Sequence, residues 1–366
     1  MRTIAIATLP YALLLFVPIS LFLRYIAGAP VIWVFVAGVA AIAVLADWVR
    51  RATEQVAERT GSTIGSLLNV SFGNAAELVL ALFVLSSTRP QIVQAQITGS
   101  IIGTTLLYLG IAALVGGIGR VRQTFNQARS GLFSTLLFLV VIAILLPAVF
   151  NLTEGASTSE ADLSRLDEHL SLGVSVVLLL LYGANLIYVL ITHRDIFAKR
   201  ELPSGDEPEW SLARGLSIMI AGTVLIALES ELVSSGLDAT AMQLGLSTVF
   251  MGVVVLALVG SAADLIASVA FARRDQMDVA FSMCVGSAVQ MALVIAPILV
   301  LVSWFIGTPM NLVFGSPLDL FAIGSAAFVV RTVAADGETT WFEGLLLIGV
   351  YVLFAVAYFF ENPARS

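Results

Sequence analysis

The chain has little charge, one cysteine and almost no histidine. Among its 366 residues there are one cysteine and two histidines, and Asp, Glu, Lys and Arg together make up 12%. A soluble domain usually carries about 25% charge. A single thiol, Cys284, excludes a disulfide framework and a cysteine-rich metal cluster. The two imidazoles, His169 and His193, fall at the ends of apolar segments and read as interfacial groups. A formal charge of −7 lacks the basic footprint of a nucleic-acid binder. No A-x-A cleavage site follows the first apolar run, which reads as a retained helix. What is present is apolar: 59% of the residues are hydrophobic, in runs of membrane length from end to end. The chain reads as an all-α polytopic membrane protein whose surroundings are a lipid bilayer.

Apolar runs place helices at about 8–26, 30–48, 62–86, 91–118, 128–150, 169–192, 212–236, 247–271, 278–306, 319–335 and 341–360, about eleven in all. With the N-terminus in the cytoplasm, fourteen Lys and Arg residues fall inside and four outside. That bias obeys the positive-inside rule and predicts a cytoplasmic N-terminus. Residues 151–168 read as an acidic outer loop. Residues 194–211, with Pro203, Gly205 and Pro208, read as a cytoplasmic loop between two halves.

The halves repeat one pattern. Gly73-Asn74-Ala75-Ala76-Glu77-Leu78 returns 187 positions later as Gly260-Ser261-Ala262-Ala263-Asp264-Leu265. Gly99-Ser100 returns as Gly286-Ser287, at the same spacing of 26 from its motif. Residues 29–193 and 212–366 therefore read as two repeats of five helices each. An odd number of helices inserts the second copy upside down, and inverted repeats meet near the bilayer midplane.

A carboxylate within a membrane segment costs roughly 2.5–3.5 kcal/mol on insertion scales, so a bound cation or proton is expected to offset it. On a continuous helix, Ser66, Asn69, Gly73 and Glu77 share a face, as do Ser261, Asp264 and Ser268. The expected cation- and proton-binding set is Glu77, Asp264, Asn74, Ser261, Ser100, Ser287 and Gln290, with Glu77 and Asp264 as the metal-binding acids. All offer hard oxygens, which suit calcium, whereas zinc favours nitrogen and sulfur. Two carboxylates balance one divalent cation or hold two protons. Gly65 and Gly252 read as close-packing positions. An intramembrane aspartyl protease needs two facing aspartates and typically a GxGD signature, which this chain lacks. A channel is separated from an exchanger by whether flux is coupled to protons.

The stretch ATEQVAERTGSTIGSLLNVSFGNAAELVLAL, residues 52–82, resembles the first repeat signature of the calcium/proton exchangers of the calcium/cation antiporter superfamily. Residues 230–265, SELVSSGLDATAMQLGLSTVFMGVVVLALVGSAADL, resemble the second, and GSAVQ at 286–290 its glutamine motif. The resemblance implies a peripheral first helix, residues 1–28, ahead of two inverted five-helix repeats. It also implies Ca2+/H+ antiport without a cofactor, Ca2+ being transported substrate, with cation-binding acids at Glu77 and Asp264 and a supporting amide at Asn74. It places an access-path acid near Glu231. Exchange with Na+ and transport of Mn2+ are the alternatives within the superfamily. Where the family usually has Asn and Glu in its second motif, this chain has Ser261 and Asp264. Thr104 takes the place of the first repeat's asparagine, and Gly103 stands opposite Gln290. No long N-terminal extension or strongly acidic central loop of the eukaryotic kind is present, which implies a bacterial-type cell membrane.

Overall fold

A computed structural model of the chain describes residues 12–61, 65, 68–69, 71–87, 89–155, 159–192, 210–314 and 316–361. Apolar sequence becomes helix wherever it is long enough to close its own backbone hydrogen bonds, as a bilayer requires. In chain order the helices are α1 (Phe16–Tyr25), α2 (Val31–Thr60), α3 (Ala75–Ser86) and α4 (Pro90–Gly117). Then come α5 (Gln127–Glu154), α6 (Ala161–Thr192), α7 (Leu212–Leu244) and the bent pair α8 (Thr248–Gly260) and α9 (Ala262–Arg273). The chain closes with α10 (Met277–Phe305), α11 (Pro317–Ala334) and α12 (Trp341–Phe360). Among the described residues eight helices are long and apolar enough to cross a membrane, and the bent pair makes a ninth span. The protein is a polytopic helical membrane protein. The expected helix at 8–26 is described over Phe16–Tyr25, and the expected 62–86 helix is described in pieces that end in α3.

Two boundaries move. α2 runs on to Thr60 instead of ending near 48. Its charges pair along the helix, Arg50 with Asp47 at 3.0 Å and with Glu54, and Arg51 with Asp47 at 2.7 Å. Pairs at i, i+3 and i, i+4 let a helix continue where composition alone suggests a loop. The expected outer loop at 151–168 is mostly helical. α5 continues to Glu154, and the Ser159 hydroxyl accepts from the Asp162 N–H to start the next helix. Asn151 then donates to Asp167 at 2.6 Å and fastens the two helices together. The connection expected at 194–211 lies, through residue 209, outside the described residues.

α4 and α10 form the centre: 83% and 72% of their most apolar windows are buried, against 17% for α6 and 28% for α12. α7 lies along α2, α12 covers α4, and α9 packs on both α4 and α10. Peripheral helices leave Leu180, Ile220 and Leu353 exposed, the apolar surface that a bilayer covers. Both central helices widen into a π-type turn, at Gly103–Tyr108 in α4 and Met291–Ile295 in α10. Such turns are frequent at functional sites. A two-residue antiparallel pair, β1 (Gln123–Thr124) with β2 (Glu338–Thr339), ties the α4–α5 and α11–α12 connections together.

Candidate cation site between two broken helices

Each copy of the repeated motif breaks its helix. Asn74 has φ −111° and ψ 27°, and α3 begins at the next residue with Glu77 in its first turn. Ser261 has φ −97° and ψ 12°, and the chain bends by 55° between α8 and α9, with Asp264 in the first turn of α9. Gly73 is needed at the first break, because a Cβ there would lie 2.3 Å from the Asn69 carbonyl oxygen. The expected continuous stripe is therefore corrected. Asn69 is exposed, Ser66 lies outside the described residues, and Ser268 is buried with its hydroxyl donating to the Leu265 carbonyl at 3.1 Å. The break has a chemical use. Both acids sit at the positive end of a half-helix dipole, which favours a carboxylate.

The breaks face each other. A Cβ on Gly260 would lie 2.8 Å from Glu77 Cγ, so the second motif lies directly on the first motif's acid. A small cavity of about 10 Å3, the room of one water, is lined by Gly73, Asn74, Gly260, Ser261 and Asp264. Glu77 lies behind Gly260, 1% exposed, and Asp264 is 9% exposed. Ser100 and Ser261 neighbour Glu77, and Ser287 neighbours Asp264. The Asn74 side chain donates to Gln290 Oε1 at 3.0 Å, joining the first motif to α10. The seven residues expected to bind the ion are thus gathered in one place. Glu231 is not among them, because it is exposed on α7.

Among the described residues, neither oxygen of Glu77, nor Asp264 Oδ2, nor the Ser100 and Ser287 hydroxyls has a hydrogen-bond partner. Buried polar atoms are normally paired, and unpaired ones are costly. A cluster of unpaired oxygens around two acids calls for a proton or a cation. No three His, Cys, Asp or Glu side chains gather among the described residues. A metal ion here would complete its shell with amides, hydroxyls and water.

Three participants escape the sequence. The Tyr108 hydroxyl donates to the Leu258 carbonyl at 2.8 Å and accepts from Ser261 at 3.3 Å, bracing the second break. Gln96 donates to the Glu77 carbonyl at 3.3 Å. Arg50 of α2 lies within electrostatic range of Asp264. An amide in the middle of an apolar run was a usable signal for Gln96. Tyr108 offered none, since an aromatic ring in such a run reads as packing.

The fold and this site define a multi-pass membrane protein built around a buried acid pair. A sequence model of the family described as sodium/calcium exchanger protein matches residues 30–191 and 214–360, and the chain belongs to that family. It is 36% identical over 368 residues to a Ca2+/H+ antiporter of Aphanothece halophytica, covering 97% of each chain. It is 38% identical over 325 residues to the Ca2+/H+ antiporter ChaA of Bacillus subtilis (strain 168), covering 87% of this chain and 89% of that protein. Its structure is similar to that of native YfkE, with a TM-score of 0.81 and 32% identity over 96% of this chain and 100% of that one.

Proposed function

We propose that the protein exchanges Ca2+ for H+ across a membrane, with access alternating at the Glu77–Asp264 pair. The observation that carries this reading is the set of unpaired oxygens on the two facing acids. Two carboxylates neutralise one divalent cation, or take up two protons when it leaves, so the buried charge stays balanced in both loaded states. Asn74, Gln290, Ser100, Ser261 and Ser287 add neutral oxygens of the kind calcium uses. Ca2+ is cargo here, and no resident cofactor is assigned. Relatives named Ca2+/H+ antiporters, matched along nearly the whole chain, support the choice of ions.

The architecture that serves this exchange is a peripheral α1 followed by two inverted repeats, giving eleven membrane segments. Broken helices at Asn74 and Ser261 and the paired π-type turns support the repeat. The arginine distribution supports an N-terminus in the cytoplasm of a bacterial-type inner membrane. Glu231 is assigned to the path by which ions reach the site.

Inside-out membrane vesicles with an acid interior test the reading. Ca2+ uptake should follow the imposed pH gradient and collapse with a protonophore, while Mn2+ and Na+ compete weakly. Uptake indifferent to the gradient would rule out proton exchange, and faster uptake of Mn2+ or coupling to Na+ would change the ions named.

A further inference from the structure

A third acid is buried in the membrane region, away from the pair. Glu229, on α7, is 0% exposed. Its Oε1 accepts from the Ser20 hydroxyl of α1 at 2.6 Å, and Ser20 is also 0% exposed. Its Oε2 has no hydrogen-bond partner among the described residues. Gly38 of α2 lies against this oxygen and against Val233, to whose Cγ2 a Cβ on Gly38 would come within 3.0 Å.

Among the described residues, no countercharge faces Glu229 from the helices around it. On α1 the one charged residue is Arg24, which is exposed. On α2 the residue against Glu229 is uncharged, Gly38, and Asp47, nine positions past Gly38 and so about 14 Å along the axis, is paired with Arg50 and Arg51. α3 meets α7 through Ser87 and Ser234, whose hydroxyls are 3.1 Å apart, while its acid Glu77 lies near the other end of α3. On α7 itself, Glu231 is exposed and Asp238 pairs with Arg89. One carboxyl and one hydroxyl fall far short of the six to eight oxygens calcium takes. A lone carboxylate in an apolar interface is costly without a partner, and a proton is the one ligand this pocket accommodates.

We propose that Glu229 is a proton-binding site separate from the Glu77–Asp264 pair, and that its proton keeps α1 seated on α2 and α7. Among the described residues, Ser20 makes the one side-chain hydrogen bond from α1 to another helix. Losing the proton leaves a bare charge in the seam, which draws in water and loosens α1. This goes beyond the exchange reaction and does not depend on which ions are exchanged.

Infrared difference spectroscopy of the full chain in lipid tests the site without any transport assay. At neutral pH a carboxylic-acid carbonyl band should be present, fade as pH rises, vanish in Glu229→Gln and shift in frequency in Ser20→Ala. Spin labels at Phe22→Cys and Val36→Cys, positions that are 51% and 50% exposed, read the seat. In the otherwise wild-type chain the distance between them should broaden at alkaline pH, whereas in Glu229→Gln it should stay narrow throughout. Identical spectra for wild type and Glu229→Gln, or a wild-type distance that ignores pH, would overturn the proposal.

Discussion

Glu77 and Asp264 each open a half-helix, but their surroundings differ. Glu77 is sealed behind Gly260 of the other half, both its oxygens are unpaired, and its carbonyl is held by Gln96. Asp264 is one methylene shorter, lines the small cavity, and has Arg50 within electrostatic range. The comparison teaches that the repeat supplies matched positions without a symmetric site. In this conformation the cavity, lined by both motifs, touches Asp264 and not Glu77.

The harshest way to break the comparison is to remove either charge. Glu77→Gln and Asp264→Asn should each lower proton-coupled Ca2+ uptake about 100-fold or more, the scale of the roughly 3–5 kcal/mol lost when one member of a buried charge pair is removed. Wild-type rates in either variant would refute the two-acid mechanism. Exchanging the chain lengths sharpens the contrast. Asp264→Glu should keep exchange with altered affinity or ion preference, since the acid beside the cavity has somewhere to extend. Glu77→Asp should lose about 10-fold or more, because calcium–oxygen distances of about 2.3–2.6 Å leave little slack for a sealed acid drawn back by one bond. Equal effects of the two swaps would erase the asymmetry.

The link between the halves is open to a double-mutant cycle. Asn74→Ala and Gln290→Ala should each raise the half-saturating Ca2+ concentration about threefold to tenfold. The double variant should cost little more than the worse single one, because both remove one shared hydrogen bond. Additive losses would place the two amides in separate roles. Glu231→Gln should shift apparent affinity or pH dependence about twofold with the maximal rate unchanged. An unaltered profile would remove Glu231 from the ion path. Smallest for transport is Tyr108→Phe: less than a twofold change in rate, with thermal stability in detergent lowered by about 1 kcal/mol, one net hydrogen bond. An unchanged melting curve would show that the second break needs no brace.

The acids, Asn74 and Gln290 were legible in the sequence because polar groups in apolar runs must face protein or water, and the register of 187 tied the copies together. The helix breaks were not legible. A Gly-Asn or Gly-Ser step is tolerated inside a helix, and only the partner packed against Glu77 shows that the chain turns there. Charge density misled at 47–54, where the residues bond to one another instead of marking a loop. Glu229 and Glu231 show the limit most directly. Two positions apart on a helix means about 200° around its axis, so one acid faces in and the other out. Periodicity alone could not say which, and the structure buries Glu229.

Gly99 bears on how the halves can move. A Cβ there would lie 1.9 Å from the Val253 carbonyl oxygen, and one on Gly252 would lie 2.9 Å from that of Ile92. Backbone rests on backbone here, with only the small Ala95 and Ala257 side chains and the edge of Ile92 beside it, so α4 and α8 are in close contact at this level. If the contact is kept, relative movement there is a roll about it, and a structure of the opposite-facing state with Gly99 and Val253 parted would rule the roll out. Atoms near a pivot travel least. Ser100 is the next residue and Asp264 is twelve beyond Gly252. In such a roll Ser100 would travel least, while Asp264, up to about 18 Å further along the chain and past the 55° bend, would sweep more widely, so the two sides of the candidate site would part and close as the halves rock.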